Sequence, residues 1–498
     1  MNKTAFKVME QLKEKNYYLE IKKKKTEELM DNFLKNELKN TDNKISKKEI
    51  KIIEAKFHSD IDKIIEKYVD NEIKAMHSIY LHRCLTYKQL YKMHFLKHFD
   101  SVQDFELNIL SDWIKHGIVK KIYFKHNNYV LFLTTRGVDI LVNELNFEPN
   151  VVDDKKRVTK RGYFRANELE MHPRLINHQI HLNQFVLDFK RISKNIDKQY
   201  NSTIFQNLKY YDEKHLSSNQ SIRPDGLISI FNTDFFLEMD MSTENRIQLI
   251  DKWNNYRNFL LKRSSSNTGN DKIVVLFIIE NSKDLEQRVS LVKETFTQTL
   301  IDKLDPTNFE LYIGSSKQIL QIAFNKILTD IENQNTYKHK LLEYFTKEDF
   351  LISYGYNVKS YFENIEYDYY ARMLNPDGSL KLCENTPIEF LICDYRDNPV
   401  SVLNKISYHK RNSMLFKSSF GREIPLLIIV NSELEILKDL KLINFDFDRN
   451  DEVFFINHKD LNDEIYKGLY QLDTYGNISK FKNYSIKSKY HFKNIDNI

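Results

Sequence analysis

The chain has few of the residues on which specialised architectures depend. Cysteine occurs three times in 498 residues, at Cys84, Cys383 and Cys393, with no C-x-x-C pair. That excludes a disulfide scaffold and a cysteine-based zinc site. Glycine (11) and proline (8) are scarce, far below the roughly 12% the two contribute to an average protein, which rules out collagen-like and Pro/Gly-rich chains. No apolar run reaches the ~18 residues of a membrane helix. No apolar stretch of signal-peptide length follows Lys3 and Lys7, so a cytoplasmic protein without a membrane partner is expected. The phosphate-loop signature G-x-x-x-x-G-K-[ST] is missing, so ATP-driven chemistry is not expected. A His-hydrophobe-His metal motif is missing as well, which argues against tyrosine-nucleophile strand nicking. His178 and His181 share a helix face, but no obvious Cys or third His completes a zinc set, and they read as ordinary helix-face histidines.

What is present is enough apolar material for several cores: 41% hydrophobic and 29% charged residues. Length alone points to about three domains. The net charge of +5 (75 Lys+Arg, 70 Asp+Glu) names no partner by itself. Its distribution says more. Residues 1–75 read as a charged helical arm, with thirteen lysines and nine acids in the first fifty positions. Residues 151–171 read as a basic linker, with Lys155, Lys156, Arg157, Lys160, Arg161 and Arg165 close together. Residues 476–498 form a basic tail in which lysines and aromatics alternate.

Residues 76–150 change character. A helix opens at Thr86, a good N-cap, and a second carries Phe105, Ile109, Leu110, Trp113 and Ile114 up to Gly117. A strand at Ile118–Phe124, a polar turn and a strand at Tyr129–Leu133 follow. Helix, helix, strand, turn, strand is the order of a winged helix-turn-helix. Such a unit binds duplex DNA or docks a protein, and the neighbouring basic segment favours DNA. The expected DNA contacts are Lys88, Lys115, Lys120, Lys121, Lys125, Lys155, Lys156, Arg157, Lys160 and Arg161.

Residues 172–335 alternate in the α/β manner. A helix covers His172–Ile192, and strands are expected at Ser202–Lys209, Asp225–Phe231 and Phe235–Met241. A helix follows at Glu244–Lys262, then a buried strand at Ile273–Ile279, a helix at Leu285–Leu300 and a strand at Phe309–Ile313. Residues 340–475 repeat this order. Arg223-Pro224-Asp225-Gly226 has a counterpart in Asn375-Pro376-Asp377-Gly378, and Lys252 has one in Lys405. In a helix-anchored alignment Glu238 falls on Leu391 and Asp240 on Cys393. The second copy therefore lacks both strand acids and reads as degenerate.

In the first copy Glu238 and Asp240 stand two apart and share one face of a strand. Asp225 begins the preceding strand and Glu244 opens the following helix. Asp225, Glu238, Asp240 and Glu244 make an oxygen-rich set suited to Mg²⁺ or Mn²⁺, able to activate water against a phosphodiester. This pattern resembles the PD-(D/E)xK nuclease family and its restriction-endonuclease-like α/β fold. The resemblance implies Asp225, Glu238 and the residue at 240 as the catalytic set. Position 240, where that family has lysine, is Asp, and Lys252 on the next helix is the replacement ammonium.

On a larger scale the chain resembles the replication-relaxation family of Gram-positive plasmids and mobile elements. The resemblance rests on Leu85–Leu141, His172-Pro173-Arg174, Arg223-Pro224-Asp225-Gly226, Leu237–Glu244, and the helix with Lys252, Tyr256 and Arg257. It implies a DNA-binding protein of plasmid replication or mobilisation, with a metal-dependent nicking or cleaving domain. The alternative is a non-catalytic initiation or regulatory protein that uses the nuclease-like fold as a DNA clamp or dimer platform. A homodimer on element DNA is compatible with either.

Overall fold

The structure is a computed structural model. It describes residues 70–125, 128–152, 158–160, 162–199, 201, 203, 205–216, 222–230, 233–265, 272–280, 282–301, 309–332, 343–347, 349–357, 366–383, 386–396, 399–443, 453–461, 468–472 and 478–480. The expected arm and tail fall almost wholly outside these. The fold is mixed α/β with several sheets. The chain divides into two compact units between Arg191 and Ile192. Among the described residues no helix is long and apolar enough to cross a membrane.

In the first unit residues 70–81 form helix α1. Its buried Ile73, Met76, Ile79 and Tyr80 recur at helical spacing, and its buried Glu72 accepts the Trp113 indole N–H at 2.9 Å. The short strand β1 (Leu85–Thr86) leads into α2, built from Tyr87–Leu90 and a π-helical turn at Tyr91–Phe95. Thr86 and Gln89 exchange side-chain-to-backbone bonds at 3.1 and 3.0 Å, a capping box that fixes where α2 starts. Helix α3 is assembled from Val102–Phe105, a π-helical Glu106–Leu110 and Ser111–Lys115. It ends at Gly117, whose φ of +63° suits a residue without Cβ.

Strands β2 (Val119–Lys125) and β3 (Asn128–Leu133) pair antiparallel, and the sheet order is β1-β3-β2. Phe95, Phe105, Leu110, Trp113 and Leu131 are buried together between helices and sheet. The helix, helix, strand, strand order expected for residues 76–150 is present, joined by α1 and β1. Helix α4 (Thr135–Glu144) follows, capped by Thr134. The expected linker holds a short antiparallel pair, β4 (Val151–Val152) and β5 (Val158–Lys160). Helix α5 (Pro173–Gln199) comes next.

Among the described residues the second unit contains two large sheets and a two-stranded pair at Leu382–Cys383 and Thr386–Pro387. The first has the order β10-β9-β8-β7-β6, with β6 Lys209–Asp212, β7 Gly226–Ile230, β8 Thr233–Asp240, β9 Lys272–Ile279 and β10 Phe309–Ser315. The expected strand at Ser202–Lys209 begins only at Lys209. Upstream of it, the Gln206 and Leu208 amides bond to Thr203 and Phe205 carbonyls, and the Phe205 amide donates to Asp197. These local bonds take the backbone out of the sheet. Helix α6 (Arg246–Ser265) joins β8 to its parallel neighbour β9, α7 (Leu285–Leu300) joins β9 to β10, and α8 (Ser316–Glu332) follows.

The second sheet comprises β11 (Phe350–Asn357), β12 (Glu366–Met373), β13 (Glu389–Asp394), β14 (Leu426–Val430), β15 (Val453–Asn457), β16 (Leu469–Leu472) and β17 (Ile478–Lys480), in that order. Helices α9 (Pro399–Arg411) and α10 (Ser413–Phe420) lie between β13 and β14, and α11 (Glu433–Leu440) between β14 and β15. Along β6 to β10 the pairings run antiparallel, antiparallel, parallel, parallel. Along β11 to β15 they run the same way. The two sheets therefore share one order of strand pairings over five strands. One buried cluster spans both copies, with Trp253, Phe277 and Phe296 beside Leu403, Leu426 and Phe455, and a second, with Phe345, Phe390, Ile429 and Phe454, lies on the other face of the second copy's sheet. Between the copies Lys293 of α7 and Asp439 of α11 form a buried ion pair at 2.6 Å, and the Tyr395 hydroxyl donates to the same carboxylate.

Candidate functional site

Strand pairing brings the first acids together. Asp225 lies just ahead of β7, where its amide donates to the Leu237 carbonyl at 3.0 Å. Its carboxylate accepts the Met239 amide at 2.7 Å. Both bonds hold it across from Glu238 in β8. Glu238 is buried on the side of the strand covered by α6. Its Oε2 accepts from Lys252 Nζ at 2.8 Å and its Oε1 from the Tyr256 hydroxyl at 2.6 Å. Lys252 also reaches Glu244 Oε1 at 3.0 Å. Gln248, Lys252 and Tyr256 follow one another at four-residue spacing, so α6 presents them as a stripe. With Arg223, Asp251 and Asn255 they line a cavity of about 390 Å³ into which Glu238 also opens.

The electrostatics follow from burial. Loss of solvent raises the Glu238 carboxyl to about 7, with the Asp225 charge adding to the rise and the Lys252 ammonium opposing it. Burial works to discharge Lys252, but Glu238, Asp225 and Glu244 outweigh it and hold its pKa above the ordinary lysine value. Tyr256 is pushed well above the usual phenol range by burial first and by Glu238 second. The site thus keeps a charged ammonium, a neutral phenol and a carboxylate poised near neutrality within bonding reach of one another.

Asp240 is placed elsewhere. It shares the strand face of Glu238, but Arg288 of α7 grips it in a bidentate pair at 2.5 and 2.9 Å. The Ser242 amide adds a third bond at 2.9 Å. Arg288 also donates to the Glu244 carbonyl at 2.7 Å, tying the loop after β8 to α7. The structure therefore brings Asp225, Glu238, Glu244 and Lys252 together and sets Asp240 apart in a buried ion pair, outside the cavity lining.

Among the described residues no group of three or more His, Cys, Asp or Glu is arranged to hold a metal ion. The adjacent carboxylates are those of Asp225 and Glu238. Both Glu238 oxygens accept hydrogen bonds, from Lys252 and Tyr256, and one Asp225 oxygen accepts the Met239 amide.

The second copy corrects the expected alignment. Asp368 of β12 accepts the Asp394 amide at 2.7 Å, as Asp225 accepts that of Met239. In the β12–β13 register Asp368 faces Cys393, so Cys393 is the counterpart of Glu238 and Tyr395 that of Asp240. Lys405 bonds to Asp368 at 3.1 Å, matching Lys252. Asp377, matched by motif to Asp225, instead lies in an exposed turn where it accepts the Ser379 amide. The loss of both strand acids stands. The aspartate and the helix lysine are kept, and buried Cys393 sits between them with its thiol raised to about 12 by desolvation.

Of the expected DNA contacts, Lys88 and Lys115 are exposed on α2 and α3. Lys121 lies over the Tyr129 ring at 4.3 Å, and Lys120 pairs with Glu170 at 2.7 Å. Lys125 ends β2 and Lys160 ends β5. Lys155, Lys156, Arg157 and Arg161 lie outside the described residues. Sequence reasoning gave no role to Arg288 and none in the site to Arg223. Tyr256 was open to detection, because it stands one helical turn beyond Lys252. Arg288 left no such signal, since it is 48 residues from its partner.

No curated protein and no solved structure matches the chain. Residues 76–275, about two-fifths of the length, do match a known family, described as replication-relaxation. That span, over which the chain is similar to the replication-relaxation family, holds the three-stranded unit together with Asp225, Glu238 and Lys252.

Proposed function

We propose that the protein binds double-stranded plasmid or mobile-element DNA through a winged helix formed by residues 70–133, and that it hydrolyses phosphodiesters at Asp225, Glu238 and Lys252. Both activities would serve replication or mobilisation of the element. The two copies of the second unit are read as restriction-endonuclease-like folds, the second degenerate. One observation carries the cleavage reading: Lys252 Nζ stands 2.8 Å from Glu238. The ammonium missing from position 240 is thus supplied by the helix, at the wall of an open cavity.

In this reading Asp225 and Glu238 would hold Mg²⁺ or Mn²⁺, which supplies Lewis-acid stabilisation and an acidified water. Lys252 stabilises the negative charge that develops on the phosphorus oxygens. Tyr256 fixes the carboxylate orientation of Glu238. Arg223, at the cavity wall, offers a guanidinium fork to a neighbouring phosphate. A binding-only clamp is the second reading. It is favoured by the engagement of Lys252 with two carboxylates at once, an arrangement that also serves as a plain structural ion pair.

The test is incubation of supercoiled plasmid carrying the element's own origin with the purified protein, in Mg²⁺, Mn²⁺ or EDTA, beside Asp225→Ala/Glu238→Ala. Metal-dependent relaxed or linear product that disappears in the double variant, with DNA retardation kept, is the expected result. Cleavage retained by the variant would sink the site assignment. Intact but retarded plasmid would support the clamp.

A further inference from the structure

The hairpin of the first unit has an unusual surface at its outer end. Lys121 and Tyr123 are two apart on β2 and share a face, and Tyr123 lies directly across from Tyr129 of β3. The three aromatic rings form a series. Tyr87, the first residue of α2, stacks on Tyr129 with centroids 4.6 Å apart and planes 17° apart. Tyr123 meets Tyr129 edge-on at 5.7 Å. The Tyr129 hydroxyl donates to Glu106 of α3 and so occupies that carboxylate. Lys121 and Lys88 hold their ammoniums 4.3 and 5.6 Å from the Tyr129 and Tyr87 centroids.

Tyr129 is buried, but Tyr123 is 65% exposed and Leu107, next to Glu106, is 71% exposed. An aromatic ring left this open at the end of the series, with an ammonium over each of the two rings behind it, has the make-up of a base-stacking platform. A protein partner would take the apolar surface, but it gives no reason for the flanking lysines. A nucleic-acid strand uses both, the ring for a base and the ammoniums for phosphates.

We infer that Tyr123, backed by Tyr129 and Tyr87 with Lys121 and Lys88 over those two rings, binds an unpaired DNA base, so that the hairpin engages a single strand as well as a duplex. This rests on the DNA-binding reading and adds the strand state of the ligand. It gives the unit a way to hold the melted DNA that replication and strand transfer both create.

The experiment uses the full chain and two probes of one sequence, a 20-nucleotide single strand carrying 2-aminopurine and its duplex, titrated at two salt concentrations. Tyr123→Ala is expected to weaken single-strand binding by about 5- to 150-fold, the range for loss of one base–aromatic stack, and to abolish the quenching of 2-aminopurine. Duplex affinity should change less than about two-fold, and Tyr123→Trp should restore both signals. An exposed side chain leaves the fold intact, which an unchanged melting curve checks. Equal losses on both probes, or no loss on either, would overturn the inference while leaving duplex binding in place. Wild-type protein that binds neither probe would instead overturn the DNA-binding reading, and a protein partner would then be the occupant to seek.

Discussion

Glu238 and Asp240 stand two residues apart on one strand, and their partners give them different work. Asp240 is buried with Arg288, and removing one member of such a pair leaves an uncompensated charge. Arg288→Leu is therefore expected to cost about 3–5 kcal/mol in a denaturant titration. Glu238 faces the cavity and Lys252. Lys252→Met should lower plasmid cleavage by about 10²–10³-fold, the usual cost of removing one charge-stabilising donor, with DNA retardation unchanged on the same gel. His409 gives a pH prediction. Burial lowers its pKa to about 4, so the folded state binds fewer protons than the unfolded state between about 6.5 and 4. Its contribution is full above 6.5 and is lost as pH falls through that window, by about 3 kcal/mol at most. His409→Leu should flatten the decline of Tm from pH 6.5 to 4, and an unchanged slope would refute the assignment. At this scale the juxtaposition of Asp225, Glu238 and Lys252 was legible in the sequence. Asp225 and Glu238 come from adjoining strands of one hairpin, and Lys252 from the helix that follows. The fate of Asp240 was not legible, because Arg288 belongs to a helix reached only after another strand has been laid down.

At the scale of elements, the duplication was legible as an order of strands and helices but misaligned as a motif. Pro376-Asp377-Gly378 copies the letters of Pro224-Asp225-Gly226 but falls after its strand rather than before it. The true counterpart, Asp368, lies inside β12 and has no proline or glycine beside it. Pairing register reveals it, and register depends on long-range contacts that one sequence does not display. The caps were easier. Thr86 and Gln89 were readable because a capping box is local, as was Gly117. The strand expected at Ser202–Lys209 was misread because Asp197, on the preceding helix, captures the Phe205 amide. The repeat makes a specific prediction. Lys405 serves a copy in which Cys393 has replaced the second acid, so Lys405→Met should leave plasmid cleavage within about two-fold of wild type. It should still lower the thermal midpoint, since it strips a half-buried Asp368 of its cation.

At the scale of the whole molecule, one buried cluster serves both sheets of the second unit, and the Lys293–Asp439 pair joins a helix of each copy inside it. The other face of the second sheet carries a further cluster of its own, with Phe345, Phe390, Ile429 and Phe454, but the shared cluster couples the unfolding of the two copies. Calorimetry of residues 192–498 should therefore show one transition, and Asp439→Leu should move all of it downward rather than split it. Two resolved transitions would refute a shared core. The origin of the lysine has a consequence of its own. The carboxylates come from the sheet and the ammonium from α6, so the set is complete only once that helix has docked on β8. On the ribosome the two acids emerge before the lysine, and in a damaged chain a loosened helix removes it again. Any strand-breaking power would then be confined to the finished molecule, and the host's chromosome would be spared by nascent or failing copies.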